Sequence, residues 1–386
     1  MNQFSSLFCQ MLALFPRSDF QRAVRETQAE KAAKGFSCWS QFVSMLFCQL
    51  GRAHSLREIC GGLATATGKL RHLGLPEAPK RSTLSYANNH RPWQLYQQVF
   101  FQVLSRCQTL AATRHRKFRF KNKLITIDST IIDLCLSTFD WARFRRTKGA
   151  VKLHLLLDHD GYLPSFAVVT DGKTHDVTVA KKLSFQPGTV LVFDRAYIDF
   201  GWLSRLHQEG VFFVTRIKSN ILFEVEAYLP CADGVLLDSI IRLTGTGAEK
   251  YGSILRRVVV QDPETGRAIA FITNNMELAA STIGAVYKDR WQIELFFKAL
   301  KQNLKIKTFL GTTPNAVRTQ IWTALIAMLL LKFMQLKSSF GWSLSNLAAM
   351  VRMNLLTYRD LFAWLNDPFQ TPISNPGPIQ LGLNLS

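Results

Sequence analysis

Three carboxylates occupy positions from which folding can gather them into one site. Lys123-Leu124-Ile125-Thr126-Ile127-Asp128 is a β-rich run ending in an acid, and the apolar run Thr189-Val190-Leu191-Val192-Phe193 is followed at once by Asp194. Glu294 lies on a strongly helical stretch from about Ala279 to Leu304. Acids from two strands and one helix suit a hard divalent cation, since magnesium takes oxygen ligands and keeps several of its waters. Two such ions can bridge a phosphodiester, one activating water and the other stabilising the leaving oxygen. The chemistry this donor set offers is therefore hydrolysis or transfer at phosphorus.

The helix that carries Glu294 strengthens that reading. At roughly 100° per residue, with Tyr287 as zero, Arg290 falls near −60°, Glu294 near −20°, Lys298 near +20°, Lys301 near −40° and Lys305 near zero. One stripe thus sets a single carboxylate among a phenol, a guanidinium and three ammonium groups, while Ile293, Phe297 and Leu300 fall elsewhere and can face a core. A solvated charged face is the alternative, although such faces usually mix signs. Arg and Lys beside a cation site would neutralise the charge of a phosphate substrate.

The elements that must position these residues change in kind along the chain. Residues 1–117 read as helical and basic. Cys38 to Leu50 has helical apolar spacing and Gly51 as a stop, and Ser55-Leu56-Arg57-Glu58 resembles a capping box opening the next helix. This pair fits a helix-turn-helix or an ordinary helical bundle equally well. Lys80 to Tyr86 and Asn88 to Arg91 place donors beside an aromatic, as phosphate and base contacts require and as a solvated helix would also show. From Phe118 the period becomes strand-like. Val151, Leu153, Leu155 and Leu157 alternate, Asp158 to Gly161 turns, Pro164 to Thr170 returns, and Val190 to Phe193 reads as a strand buried on both faces. Strand, hairpin and buried strand, with an acid at or near a strand end, is the order of a ribonuclease-H-like α/β core. Residues 118–210 and 272–336 are assigned to that core, 211–271 to a β-rich insertion, and 337–386 to a C-terminal helical region with a Pro-rich tail. Within the insertion, Arg216, Lys218, Lys250, Arg256, Arg257 and Arg267 suggest a DNA-handling platform.

Composition bounds the partners. The 386 residues hold 47 Lys plus Arg against 27 Asp plus Glu, a formal charge of +20, which favours a polyanion and nucleic acid above all. Seven scattered cysteines without a C-x-x-C pair argue against a zinc site or a disulfide framework. Leu7 to Phe15 reads as a buried helix and not a leader, and the apolar run Ile321 to Leu331 is short of a membrane span, so a cytoplasmic, nucleoid-associated protein without a membrane partner or small-molecule substrate is expected. His175-Asp176 reads as a structural pair. Asp133, Asp140, Asp158 and Asp160 compete with Asp128, and Asp199 with Asp194.

Tyr287-x2-Arg290-x3-Glu294-x6-Lys301 resembles the Y-R-E-K signature of the insertion-sequence-4 family of bacterial transposases. Ile125-Thr-Ile-Asp128-Ser-Thr and Asp194-Arg-Ala-Tyr197-Ile-Asp199-Phe200 resemble the segments around that family's two catalytic aspartates, and the insertion sits where the family places its β-domain. The resemblance implies an enzyme that binds terminal inverted repeats on double-stranded DNA, nicks them, excises through a hairpin and joins the ends to target DNA as a homodimer on paired ends. It implies Asp128, Asp194 and Glu294 as ligands of two Mg2+ ions, with Mn2+ a possible substitute. Tyr287, Arg290, Lys298 and Lys301 would hold DNA, and Trp291 would stack on a flipped base or else be a core residue. A metal nuclease that does not join strands and an idle DNA-binding relative are the competing classes.

Overall fold

The computed structural model describes residues 5–373 apart from 32, 34, 67, 68, 114, 115, 136, 146, 147, 263, 305 and 307. Pro263 of the expected Asp262–Gly266 turn, Lys305 of the expected stripe and residues 374–386 of the expected tail lie outside the described residues. The chain forms two compact units, Met1–Thr113 with Lys298–Ser386, and Arg114–Phe297.

The first unit begins with helices α1 (Leu7–Ala13), α2 (Arg17–Glu26), α3 (Cys38–Gly51), α4 (Leu56–Ala64), α5 (Arg81–His90) and α6 (Gln94–Ala111). In α1, Leu7, Phe8, Met11 and Leu12 are buried, as expected of a core helix. Every residue of α3 from Cys38 to Leu50 is buried, the polar Ser40, Gln41, Ser44 and Gln49 included, so this helix lies within the unit's interior. The capping box forms as expected. Ser55 Oγ accepts from Glu58 N at 3.2 Å, while Glu58 Oε2 accepts from His54 N at 2.8 Å, opening α4. Helix α5 docks through Leu84, Ala87 and Asn88, and Gln41 of α3 donates to Asn88 Oδ1 at 2.9 Å.

The second unit is one ten-stranded sheet: β1 (Leu124–Leu134), β2 (Arg143–Arg145), β3 (Lys148–Asp158), β4 (Leu163–Asp171), β5 (Val190–Phe193), β6 (Phe212–Arg216), β7 (Phe223–Tyr228), β8 (Val235–Leu243), β9 (Leu255–Gln261) and β10 (Ala268–Thr273). Its order is β2-β3-β1-β5-β6-β10-β9-β8-β7, with β4 also on β3. Strands β1, β3 and β4 are antiparallel, whereas β5 and β6 run parallel to β1. Its helices are α7 (Asp176–Ala180), α8 (Phe200–Gln208), α9 (Thr246–Lys250), α10 (Ala280–Asp289) and α11 (Trp291–Asn303), the unit boundary falling within α11. The expected separate β-insertion is instead a continuation of this sheet. Strand β10 pairs antiparallel with β6, so the added strands cover the β6 edge and move the sheet's end out to β7.

The period of two then decides what each face carries. Ile125, Ile127, Leu191 and Phe193 pack with Trp202, Leu203 and Leu206 of α8. Leu124, Val190 and Val192 pack with Ile283 and Val286 of α10 on the opposite face. Asp128 and Asp194 share the parity of Leu124 and Val190, so both project toward the α10 side.

The chain returns to the first unit in α12 (Pro314–Lys337), α13 (Leu344–Asn354) and α14 (Leu361–Asn366). Residues 298–336 therefore group with the N-terminal helices, where the sequence had suggested the core. Helix α12 is long and apolar enough to cross a membrane by length and composition, contrary to expectation, but 78% of its apolar window is buried inside the protein. The Cys107 thiol of α6 donates to Leu329 O, and Trp93 stacks on Trp322, as for a bundle's central helix.

Candidate functional site

The pairing of β1 with β5 places two acids side by side. Ile127 is opposite Phe193 in the last parallel rung, and Asp128 and Asp194 are the next residues on each chain. Beyond that rung the chains diverge. Strand β1 continues to Leu134 along β3, so Asp128 lies within a strand and not at its end as the sequence suggested. The β-branched Thr130, Ile131 and Ile132 keep the backbone extended there. Asp194 leaves the sheet, and its Oδ1 accepts from Ala196 N at 2.9 Å, capping a short turn.

Glu294 comes from the first turn of α11. The expected single helix is broken at Arg290, where hydrogen bonds shorten to three residues (Arg290 N to Tyr287 O, Ile293 N to Arg290 O, both 3.1 Å). The break turns Arg290 into the acids. Its Nη2 donates to Glu294 Oε1 at 2.7 Å and its Nη1 to Asp128 Oδ2 at 3.4 Å. The guanidinium also lies 5.5 Å from the centre of the Tyr287 ring, which packs on Phe271. Trp291, 55% exposed, and Lys298 face outward on α11. Lys301 is half-buried in the last turn of α11.

Burial pushes the Asp128 carboxyl up to about 6. The Ser129 amide and Arg290 oppose that rise, while the nearby charges of Glu294 and Asp194 add to it. Asp128 and Glu294 thus share a single guanidinium, and Asp128 also feels the charge of Asp194. Burial also raises the Tyr287 phenol. Among the described residues no three or more Asp, Glu, His or Cys side chains are gathered tightly enough to hold a metal ion. The donor set nevertheless suits a hard cation: all three groups are carboxylates, and no described donor reaches Asp194 Oδ2 or Glu294 Oε2.

Other candidates separate on geometry. Asp199 caps α8 through Trp202 N and pairs with Lys181 at 2.7 Å. Asp158 pairs with Lys123 and Asp160 with Arg116. Arg256, expected to handle DNA, is buried and holds Asp238, so it belongs to the sheet's interior. Asp176, read as structural, accepts at 2.6 Å from Oγ of Ser129, the residue after Asp128, and pairs with Lys152 at 3.2 Å. Only its place in a His-Asp pair hinted at this.

Residues 119–330, more than half the chain, match the family described as a transposase DDE domain, and residues 3–76 match a domain of unknown function. A protein of Sinorhizobium fredii named as a transposase is 34% identical over 284 residues, covering 71% of this chain and 77% of the relative. One from Geobacillus stearothermophilus, named as a transposase for the insertion sequence element IS5377, is 33% identical over 271 residues, covering 68% and 70%. A Synechocystis protein named for the element IS4SA is 26% identical over 270 residues, covering 67% and 73%. A solved piggyBac transposase synaptic complex with hairpin DNA aligns at a TM-score of 0.45 and 11% identity, covering 96% of this chain and 83% of that one.

Proposed function

The chain belongs to the DDE transposases of insertion sequences, enzymes that cleave and transfer DNA strands, and on that premise we propose that Asp128, Asp194 and Glu294 form its single catalytic site. The observation that carries this is the meeting of Asp128 and Glu294 on Arg290, with Asp128 and Asp194 each following the last parallel rung. The strand order β4-β3-β1-β5-β6, antiparallel then parallel, supports reading the sheet as a ribonuclease-H-like core.

The family implies dependence on a divalent metal. In this reading Asp128, Asp194 and Glu294 would hold two Mg2+ ions, with Mn2+ a substitute, and the chemistry so supplied would be activation of water and stabilisation of the leaving oxygen. The chain's own residues do the rest. Arg290 offsets charge among the acids before DNA arrives and then donates to the scissile-strand phosphate, as its planar fork permits. Tyr287 buttresses that guanidinium. Lys298 and Lys301 sit further along α11 to follow the strand, and the exposed Trp291 can stack on an extruded base.

Recognition of the terminal repeats falls to the first unit. Helix α3 is buried throughout, whereas α5 turns Arg81, Ser82, Tyr86 and His90 to solvent, Tyr86 stacked on His90 at 4.0 Å. A face with donors and no carboxylate suits a DNA groove. Two chains on paired ends would then nick, excise through hairpins and join a target. Incubating the purified chain with duplexes carrying its element's ends, a target plasmid and Mg2+ should give nicked, hairpin and joined products. Nicking without joining would replace this reading with that of a nuclease. Retardation of the repeats should also weaken steeply with salt, by about 0.9 log units per log salt for each phosphate neutralised.

A further inference from the structure

A second polar cluster lies in the same unit, around the residue that precedes Arg290. Asp289, the residue before Arg290, has a side chain only 1% exposed yet receives three donors. His159 Nδ1 donates at 2.7 Å, Lys117 Nζ at 2.5 Å and the Tyr162 hydroxyl at 3.1 Å. With Nδ1 serving that carboxylate, Nε2 on the other side of the His159 ring lies 2.7 Å from the Thr126 hydroxyl, within hydrogen-bond distance. Thr126 lies on β1 two residues before Asp128 and is wholly buried. The hydroxyl–imidazole–carboxylate order resembles a hydrolase triad, but a nucleophile at 0% exposure meets no substrate, so these bonds hold elements together.

We propose that Asp289 is a positioning residue: through His159 and Thr126 it ties the break between α10 and α11 to β1, and so fixes Arg290 and Glu294 against Asp128. Three observations converge on this. The break occurs at the residue following the clamp, in a sequence whose apolar pattern alone would continue one helix. Tyr162 reaches Asp289 from the β3–β4 turn with φ +52°, a left-handed conformation that a bulky residue adopts only where its surroundings demand it. Although burial alone would raise the Asp289 carboxyl, the bonds from His159 and Lys117 hold it low, so the clamp is anchored by a charged acceptor.

The inference rests on the transposase reading for its activity readout, and the experiment separates the two. Full-length wild type, Asp289→Asn and Tyr162→Phe are compared in single-turnover nicking at saturating repeat duplex, in duplex affinity, and in hydrogen exchange across residues 285–297, all well below each variant's melting temperature. Asp289→Asn keeps the shape but loses the charge. Displacements near 1 Å at a reacting centre slow reactions on the order of 10²-fold. Its nicking should accordingly slow roughly tenfold or more while affinity changes less than about twofold, the split that marks an effect on the reacting geometry and not on binding. Tyr162→Phe, with one donor of three removed and the fold kept, should fall between wild type and Asp289→Asn. Exchange should quicken around Arg290 in both variants. Wild-type nicking with unchanged Asp289→Asn nicking would overturn the clamp. If wild type itself does not nick, the transposase reading fails instead, and unaltered exchange around Arg290 would still overturn the clamp.

Discussion

Two arginines of the sheet unit, Arg256 buried and Arg290 partly so, hold carboxylates in opposite ways. Arg256 meets Asp238 through two parallel bonds, Nε to Oδ1 at 2.9 Å and Nη2 to Oδ2 at 2.6 Å, and spends Nη1 on the carbonyls of Met276 and Leu278. Both side chains are nearly sealed, at 8% and 2% exposure. Arg290 divides its fork between two acids, one of them only loosely held at 3.4 Å, and among the described residues its buried Nε has no hydrogen-bond partner. Its acids, Asp128 and Glu294, stay open at 20% and 33%. A saturated pair can only support the fold. An unsaturated one, with more acids than cations and solvent at hand, has capacity left for a ligand.

The largest difference between the two should appear on substituting the acids. Asp128→Asn, Asp194→Asn and Glu294→Gln each keep shape and remove a negative oxygen, so nicking, hairpin formation and joining should fall together, by roughly 10³-fold or more, while repeat DNA is still retarded in a gel. Wild-type cleavage in any one variant would remove that residue from the site. Asp238→Asn, by contrast, should alter melting temperature and leave the turnover of the folded fraction unchanged.

Breaking the saturated pair should be a matter of stability. Arg256→Ala strands Asp238 in the interior and should cost about 3–5 kcal/mol in denaturant unfolding. Replacing both partners by apolar residues, Arg256→Met with Asp238→Leu, should restore most of that loss. If the single variant unfolds normally but fails to process strand ends, Arg256 handles DNA after all.

The unsaturated site should instead strain the metal-free fold. The folded-state carboxyl of Asp128 sits at about 6 against an ordinary 3.8, so the folded chain binds its proton more tightly than the unfolded chain does. The stability this contributes is complete below about pH 4 and is lost as pH rises through about 6. Asp128→Asn cannot ionise and should therefore be more stable than wild type at pH 7.5 in EDTA, by roughly 1–3 kcal/mol. Equal or lower stability of the variant would mean that Arg290 already balances the acids.

How much of this was legible follows from what fixes each feature. The strands that carry Asp128 and lead to Asp194 could be read because apolar runs define them, and the helix that carries Glu294 because a charge stripe marks it. The α/β order was readable for the same reason. The break at Arg290 was not, since it depends on Asp289 meeting His159 and Tyr162 from a distant hairpin, and local periodicity carries no trace of such a partner. The single continuous sheet was hidden likewise, because the pairing of β10 with β6 joins segments more than fifty residues apart. Arg256 misled for a related reason: an arginine in a strand looks the same whether its carboxylate is buried beside it or absent.

Arg257 provides the finest test of the comparison, because it differs from Arg256 by one position on the same strand. Alternation sends the neighbouring side chains of β9 to opposite faces, Arg256 to Asp238 and Arg257 over the Phe223 ring at 5.3 Å from its centre. Among the described residues no acid pairs with Arg257, and its buried Nε has no hydrogen-bond partner. Losing a partly exposed cation–π pair removes about 0.5–1 kcal/mol, so Arg257→Ala should shift unfolding far less than Arg256→Ala. Measured singly, the two variants assign the adjacent arginines their separate roles. If Arg257→Ala alone slows strand-end processing at near-normal stability, the outer sheet takes part in handling DNA. If it changes neither, Arg257 is a packing residue, and cationic charge at the cleaved end must come from Arg290 and its helix.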